Sequence, residues 1–120
     1  MTATMMNTLN TQLHVINEYK IPYAQKKVKE VTDDLKSEMS FYDNMRALVN
    51  VRTSGDNVSE MLRIEKSVKH YNNVLDSAMA DLEILIDEKI EIEKQIAEET
   101  IRNQREEMNH MIQKLKEMGI

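Results

Sequence analysis

The chain contains no cysteine, and this absence removes several kinds of chemistry at once. Disulfide bonds, thiolate zinc sites and thiol nucleophiles are excluded. Two glycines are too few for a glycine-rich phosphate-binding loop. No apolar run approaches the ~18 residues of a membrane-spanning helix. The N-terminal residues also lack the basic start and continuous apolar core of a signal peptide. We therefore predict a cytoplasmic protein (in the host cytoplasm if a phage encodes it), with no membrane association.

What the chain does contain is material for amphipathic helices. Charged residues make up 31% of the 120 residues and hydrophobic residues 41%, while aromatic residues make up only 4%. This composition is typical of helical proteins rather than of disordered ones. A chain of this length is enough for one domain. We therefore predict a single helical domain over residues 1–120.

A first helix is predicted over about residues 4–20 and a second over about 22–51. The first carries an apolar face at Met6, Leu9, Leu13 and Ile16, at spacings of three and four. Pro22 disfavours helical geometry in the residue before it, so a break or kink is expected at Ile21. The second helix carries a heptad seam with one acidic member, widened by Met39, Phe41 and Leu48; the seam is Val28, Val31, Leu35, Glu38, Tyr42, Met45 and Val49.

The segment 52–57 is the clearest turn in the chain. Gly55 suits a left-handed position at the end of a helix. Asn57 with Glu60 resembles a capping box for the next helix, and Asp56 is the alternative cap. A short turn between two long apolar seams predicts an antiparallel helical hairpin.

A long third helix is predicted over about residues 58–118. Its heptad seam is Met61, Ile64, Val68, Tyr71, Leu75, Ala78, Leu82, Leu85, Lys89, Ile92 and Ile96. A second stripe runs beside it at Met79, Leu82, Ile86 and Ile90. Beyond Ile96 the apolar residues continue in a shifted frame, which indicates a stutter or a short break near residues 97–101. That tail comprises Ala97, Ile101, Gln104, Met108, Met111, Leu115 and Met118.

These elements predict an all-α fold: an elongated antiparallel helical hairpin, or coiled-coil-like bundle, with a short N-terminal helix. The first two helices are too short to cover the third, so apolar surface is left over near its end, and such surface normally marks a binding site. Methionine there suits an adaptable binding surface, although it also serves as plain core filling. The predicted partner-binding or oligomer interface is Ile86, Ile90, Ile96, Ile101, Met108, Met111, Ile112, Leu115 and Met118.

The net charge of −5 is concentrated in one segment. Residues 76–99 hold nine acidic side chains against Lys89 and Lys94. One interpretation is a solvated helix face. The other is a surface that docks on a basic partner, comprising Asp87, Glu88, Glu91, Glu98 and Glu99. Such acidity repels nucleic-acid backbones, so ordinary nucleic-acid binding is disfavoured.

Candidate chemistry is sparse. Glu107 and His110 have the E-x-x-H spacing of helical di-iron sites, but such sites need two of these motifs, and neither His14 nor His70 has a glutamate three residues before it. Ser67 precedes His70 by three residues without a third group to orient the pair. We therefore predict no metal, no cofactor, no small-molecule substrate and no enzymatic activity.

The function predicted from these features is that of a non-enzymatic protein–protein interaction module. The leading form is a small inhibitor or adaptor that binds and regulates a larger protein, for example a phage-encoded antagonist of a host or defence protein. An oligomeric coiled-coil scaffold or assembly chaperone is the alternative, with self-association through the C-terminal helix. A nucleic-acid accessory factor is the third hypothesis.

Overall fold

The computed structural model describes residues 2–120, with side chains from residue 4 onward, and nearly all of this chain is helical. Helix α1 spans Thr2–Val15, a π-helical turn spans Ile16–Lys20, α2 spans Ile21–Val51 and α3 spans Gly55–Glu117. No strand occurs among the described residues, so the predicted all-α fold class is confirmed. Within this same range, no helix is both long and apolar enough to cross a membrane.

The contacts between residues group into two units. The hairpin unit is Pro22–Ile84, which holds α2 and the first half of α3. The terminal unit consists of the segment up to Ile21 together with Leu85–Ile120, so it holds α1, the π-turn and the second half of α3. Each unit has its own buried residues and is considered separately below.

The hairpin unit is built on the two predicted seams. Its buried apolar side chains are Ala24, Val31 and Leu35 from α2, with Ile64 and Ala78 from α3. The remaining seam residues of both helices are half-buried in this unit. Because both seams repeat every seven residues, the two helices pack along their full common length. The predicted widening of the α2 seam is wrong, since Met39, Phe41 and Leu48 are exposed.

Glu38 is the acidic member of the α2 seam. Its side chain is half-buried, and its Oε2 atom is buried without a hydrogen-bond partner among the described residues. Arg63 of α3 lies close enough that Glu38 contributes to raising the pKa of Arg63, although the main cause is the hydrogen bond of Arg63 to Glu60. A buried acceptor without a partner lowers stability, so Glu38 is a weak point in this seam.

The turn between α2 and α3 is capped by Ser54. Its Oγ accepts a hydrogen bond of 3.1 Å from the Asn57 N–H, and its carbonyl accepts one of 3.0 Å from the Val58 N–H. The Asn57 side-chain amide in turn donates to the Arg52 carbonyl at 3.1 Å. The prediction that Gly55 ends a helix in a left-handed conformation is wrong: Gly55 is the first residue of α3, and the only positive-φ glycine among the described residues is Gly119. The predicted capping roles of Asn57 and Asp56 are also wrong, because a serine hydroxyl one turn earlier reaches the free N–H groups first.

No break occurs at Ile21, where a break or kink was predicted, because the chain stays helical and a π-turn precedes Pro22. The Ile21 N–H donates to the Ile16 carbonyl, a bond across five residues instead of four. Such a turn holds one extra residue within a helix. Buried positions in α1 and α2 accordingly step by seven from Leu9 to Ile16, by eight from Ile16 to Ala24, and by seven again to Val31. The one-residue slip in the apolar pattern is therefore absorbed by a wider turn just before Pro22, whose ring would clash with a regular α-helical carbonyl.

In the terminal unit, α1 covers part of the second half of α3. Leu9 and Ile16 are buried, while Met6 and Leu13 are half-buried, so the predicted α1 face is confirmed. Leu9 and Gln95 line one groove of this unit, and Ile16 and Ile92 line another, so the two helices run antiparallel. The last half-buried residue of α3 is Asn103, and every side chain from residue 104 to residue 120 is exposed.

Candidate functional site

The second half of α3 has two distinct faces. The covered face, against α1, is defined by the buried and half-buried residues Leu85, Lys89, Ile92, Ile96, Glu99 and Asn103. These positions keep the spacing of three and four found in the first half of the helix. The covered face therefore continues without interruption through residues 97–101, where a stutter or a short break was predicted, and α3 is one unbroken helix.

The other face carries an exposed apolar stripe. The α3 stripe is defined by Ile86, Ile90, Ala97, Ile101, Met108, Met111, Ile112, Leu115 and Met118. All nine side chains are exposed, and Ile101, Met108 and Met111 keep 50%, 63% and 65% of their surface open to solvent. A run of large apolar groups on this scale is unusual for a surface that has no partner.

The stripe and the covered face point in different directions. Ile101 follows Glu99 by two residues, which is about 200° around an α-helix. The shifted frame of the tail therefore means that the apolar residues move to another face of the helix, while the helix itself continues. On the covered face the residues turn polar, at Glu99, Thr100 and Asn103, while the apolar residues pass to the stripe.

The structure brings together eight of the nine residues predicted for the interface. Ile96 is the exception, because it is half-buried on the covered face. Ala97 belongs to the stripe although it is missing from the predicted interface. Its spacing of seven residues from both Ile90 and Gln104 is the sequence signal that could have included it.

The residues of the predicted acidic docking surface are likewise divided between exposed and buried positions. Asp87, Glu88, Glu91 and Glu98 are exposed. Glu99 is only 7% exposed, and its carboxylate pairs with the guanidinium of Arg102. That hydrogen bond is the main cause of a raised pKa at Arg102, whose guanidinium also lies 3.9 Å from a Glu106 carboxylate oxygen. Glu99 is thus held within the terminal unit, and four acidic residues remain available to solvent.

A groove lies within the terminal unit where the π-turn passes α3. Its volume is about 430 Å³, and Val15, Ile16 and Ile92 form its apolar part. Lys20 lines it from the π-turn, with Glu88 and Glu91 from α3. The sequence analysis did not predict this groove. The lining residues hold aliphatic groups and charges of both signs and pair no nucleophile with a base.

The residues considered for catalysis or metal binding are not brought together. Glu107 and His110 are both exposed in the tail, while His14 lies in α1 with its ring centroid 6.0 Å from that of Tyr19. His70 is exposed beside Tyr71. Among the described residues, no group of three or more histidines and carboxylates is placed to hold a metal ion.

Comparisons with known proteins add no relative from which a role could be inferred. No protein-family model, no curated protein and no solved structure matches this chain. The geometry of the terminal unit is therefore the basis for the functional conclusion.

Proposed function

We propose that this chain is a non-enzymatic protein–protein interaction module that binds another protein helix along the α3 stripe. The observation that carries the proposal is the exposure of heptad-spaced apolar side chains between Ile86 and Met118, on a helix whose other face is covered by α1 as far as Asn103. Apolar side chains at this spacing pair with a second helix by inserting into the gaps between its side chains.

The composition of the stripe supports the same proposal. Three of its nine residues are methionine, whose flexible and polarizable side chain adapts to differently shaped partners. The stripe is also rimmed by charged residues, including Glu93, Glu98 and Arg105. An apolar centre with a charged rim is the usual anatomy of a protein-binding surface. An inhibitor or adaptor of a larger protein is the cellular role we propose for such a module.

Site-specific photo-crosslinking in the organism that encodes the chain tests this proposal. A photo-reactive amino acid replaces Met108 in the stripe, and the matched control replaces Asn109, which is also exposed but lies about 100° away around the helix. The proposal expects a discrete protein adduct from position 108 and much less from position 109. Equal labelling at the two positions, or no protein adduct at either, would overturn it.

A further inference from the structure

We infer that the α3 stripe is covered by the same stripe of a second copy of this chain, running antiparallel, with Ile101 and Gln104 at the centre of the interface. This inference rests on the proposed function and names its partner. It is carried by the pattern of charges beside the stripe and by the sizes of the side chains within it.

The stripe contains two interleaved series of residues. Ile101, Met108 and Leu115 form one series at steps of seven. The second series is Ile90, Ala97, Met111 and Met118, and the polar Gln104 occupies the step between Ala97 and Met111. The two series alternate at spacings of three and four, which is the pattern of a coiled-coil core. From Ile86 to Met118 the stripe is about 48 Å long at 1.5 Å per residue.

In an antiparallel pair, each residue of one series faces a residue of the other series. One register uses the whole stripe, and it places the long Met108 opposite the small Ala97. Its central layers, each formed twice, are Ile101 with Gln104 of the second copy, Met108 with Ala97, and Leu115 with Ile90. The long Met108 side chain then fills the space left by Ala97, as dense packing requires.

The charged residues beside the stripe favour this orientation. In the antiparallel register, Glu98 of each copy faces Arg105 of the other on one side of the core. Glu93 of each copy faces Lys114 of the other on the opposite side. The interface therefore has four complementary pairs and no like-charged pair among these residues. All four side chains are exposed, and none of them forms an ion pair within the described chain.

In a parallel pair, like charges beside the stripe would face each other instead of opposite charges. In parallel coiled coils, the flanking residue of one chain faces the flanking residue five positions later in the other. Glu93 would then face Glu98 of the second copy on both sides of the core. Each pair of this kind contributes little to affinity by itself, but several pairs together select orientation, so the sequence selects the antiparallel pair.

Polar residues within the stripe fit the same register. Gln104 lies next to the two-fold axis, where one polar core position fixes the alignment of the chains. Asp87 faces Met118 at the open end of the interface, where water reaches it. Lys94 faces Met111, and its aliphatic stem covers the methionine while its amine extends to solvent. The covered face of α3 lies on another side of the helix, so α1 stays in place in the pair.

The first test is the mass and cross-linking of the whole chain in solution. Sedimentation equilibrium is expected to give twice the chain mass of 14.1 kDa. Because the chain has no cysteine of its own, single cysteines can report the register. An equal mixture of Ala97→Cys and Met108→Cys is expected to form the mixed disulfide under mild oxidation, because these positions face each other within disulfide reach.

Each variant alone should form little disulfide in the antiparallel pair, and Asn109→Cys mixed with Ala97→Cys serves as the control outside the interface. Disulfides between identical positions would show a parallel pair and overturn the inference. A mass of 14.1 kDa at every concentration would also overturn it. A monomer that forms an adduct with a larger protein from position 108 would refute the second copy but retain the proposed function.

Charge-reversal variants distinguish the antiparallel pair from a parallel pair without the need to form a disulfide. Arg105→Glu is expected to raise the dissociation constant of the pair by about tenfold, since two attractive pairs become repulsive. Glu98→Arg should weaken the antiparallel pair in the same way but strengthen a parallel one. Combining the two substitutions should restore the original affinity. Failure of this restoration, with helix content unchanged by circular dichroism, would contradict the proposed register.

Discussion

The hairpin unit and the terminal unit use the same long helix in different ways. In the hairpin unit, α2 and the first half of α3 are of similar length, and each covers the seam of the other. In the terminal unit, the short α1 faces a segment of α3 more than twice its length. The difference teaches that coverage, rather than hydrophobicity, decides which apolar residues of α3 contribute to folding. Those without cover remain available for another chain.

The largest expected effect is a difference in stability between two alanine substitutions in the terminal unit, one at a covered isoleucine and one at an exposed isoleucine. Ile16→Ala should lower the free energy of unfolding by about 2–5 kcal/mol, because it leaves a cavity at a side chain that is 4% exposed. Ile101→Ala, at an exposed site in the same unit, should change the monomer by less than about 0.5 kcal/mol. Urea denaturation at low protein concentration measures both. Similar losses from the two variants would remove the distinction between the two faces.

The next largest expected effect is an increase in the stability of the hairpin unit. Glu38→Leu should raise the free energy of unfolding by about 1–3 kcal/mol, because it replaces a carboxylate with a buried, unpaired oxygen by an apolar seam residue. Thermal denaturation followed by circular dichroism gives the change. The exposed Glu30→Leu on the same helix is the control and should be close to neutral. Destabilisation by Glu38→Leu would mean that this carboxylate serves the seam through Arg63.

A smaller effect concerns the turn of the hairpin unit. Ser54→Ala removes the hydroxyl that accepts from the Asn57 N–H and should cost about 1 kcal/mol. Ser77→Ala is the comparison, because Ser77 is exposed in the interior of α3 and alanine is the better helix former there. If both serines behave alike in urea titrations, the cap does not fix the start of α3.

The smallest effect is a pH dependence on the surface of the hairpin unit. The hydrogen bond from Arg63 holds the pKa of Glu60 below its usual range. A carboxylate with a lowered pKa in the folded state adds stability above its unfolded pKa, and this stability is lost as the pH falls through the folded pKa. Glu60→Gln should therefore flatten the stability profile slightly below about pH 5. An unchanged profile would assign that pH dependence to other carboxylates.

The parts of the fold that follow from periodicity were predictable. The seams of α2 and α3 and the face of α1 recur at spacings of three and four, and the structure places them where that pattern requires. The surplus of helix beyond α1 followed from lengths alone, and the side chains after Asn103 are indeed exposed. That a second chain covers them remains a prediction.

The parts that were wrong depend on competition between local groups. Ser54, Asp56 and Asn57 can each cap a helix, and only the backbone path decides which oxygen meets the free N–H groups. Pro22 breaks many helices, but a wider turn satisfied its constraint here without ending the helix. Met39 and Phe41 are apolar yet lie outside the arc that α3 covers, and composition alone does not define the width of that arc.

The π-turn also has an evolutionary consequence. A turn of this kind is equivalent to one residue inserted into an α-helix, and the buried faces on either side of it stay in phase with or without that residue. The chain can therefore lose a single residue between Ile16 and Lys20 while Leu9 and Val31 keep their places in the two units. Related chains are expected to show length variation at this point, inside a helix, where insertions are normally not tolerated.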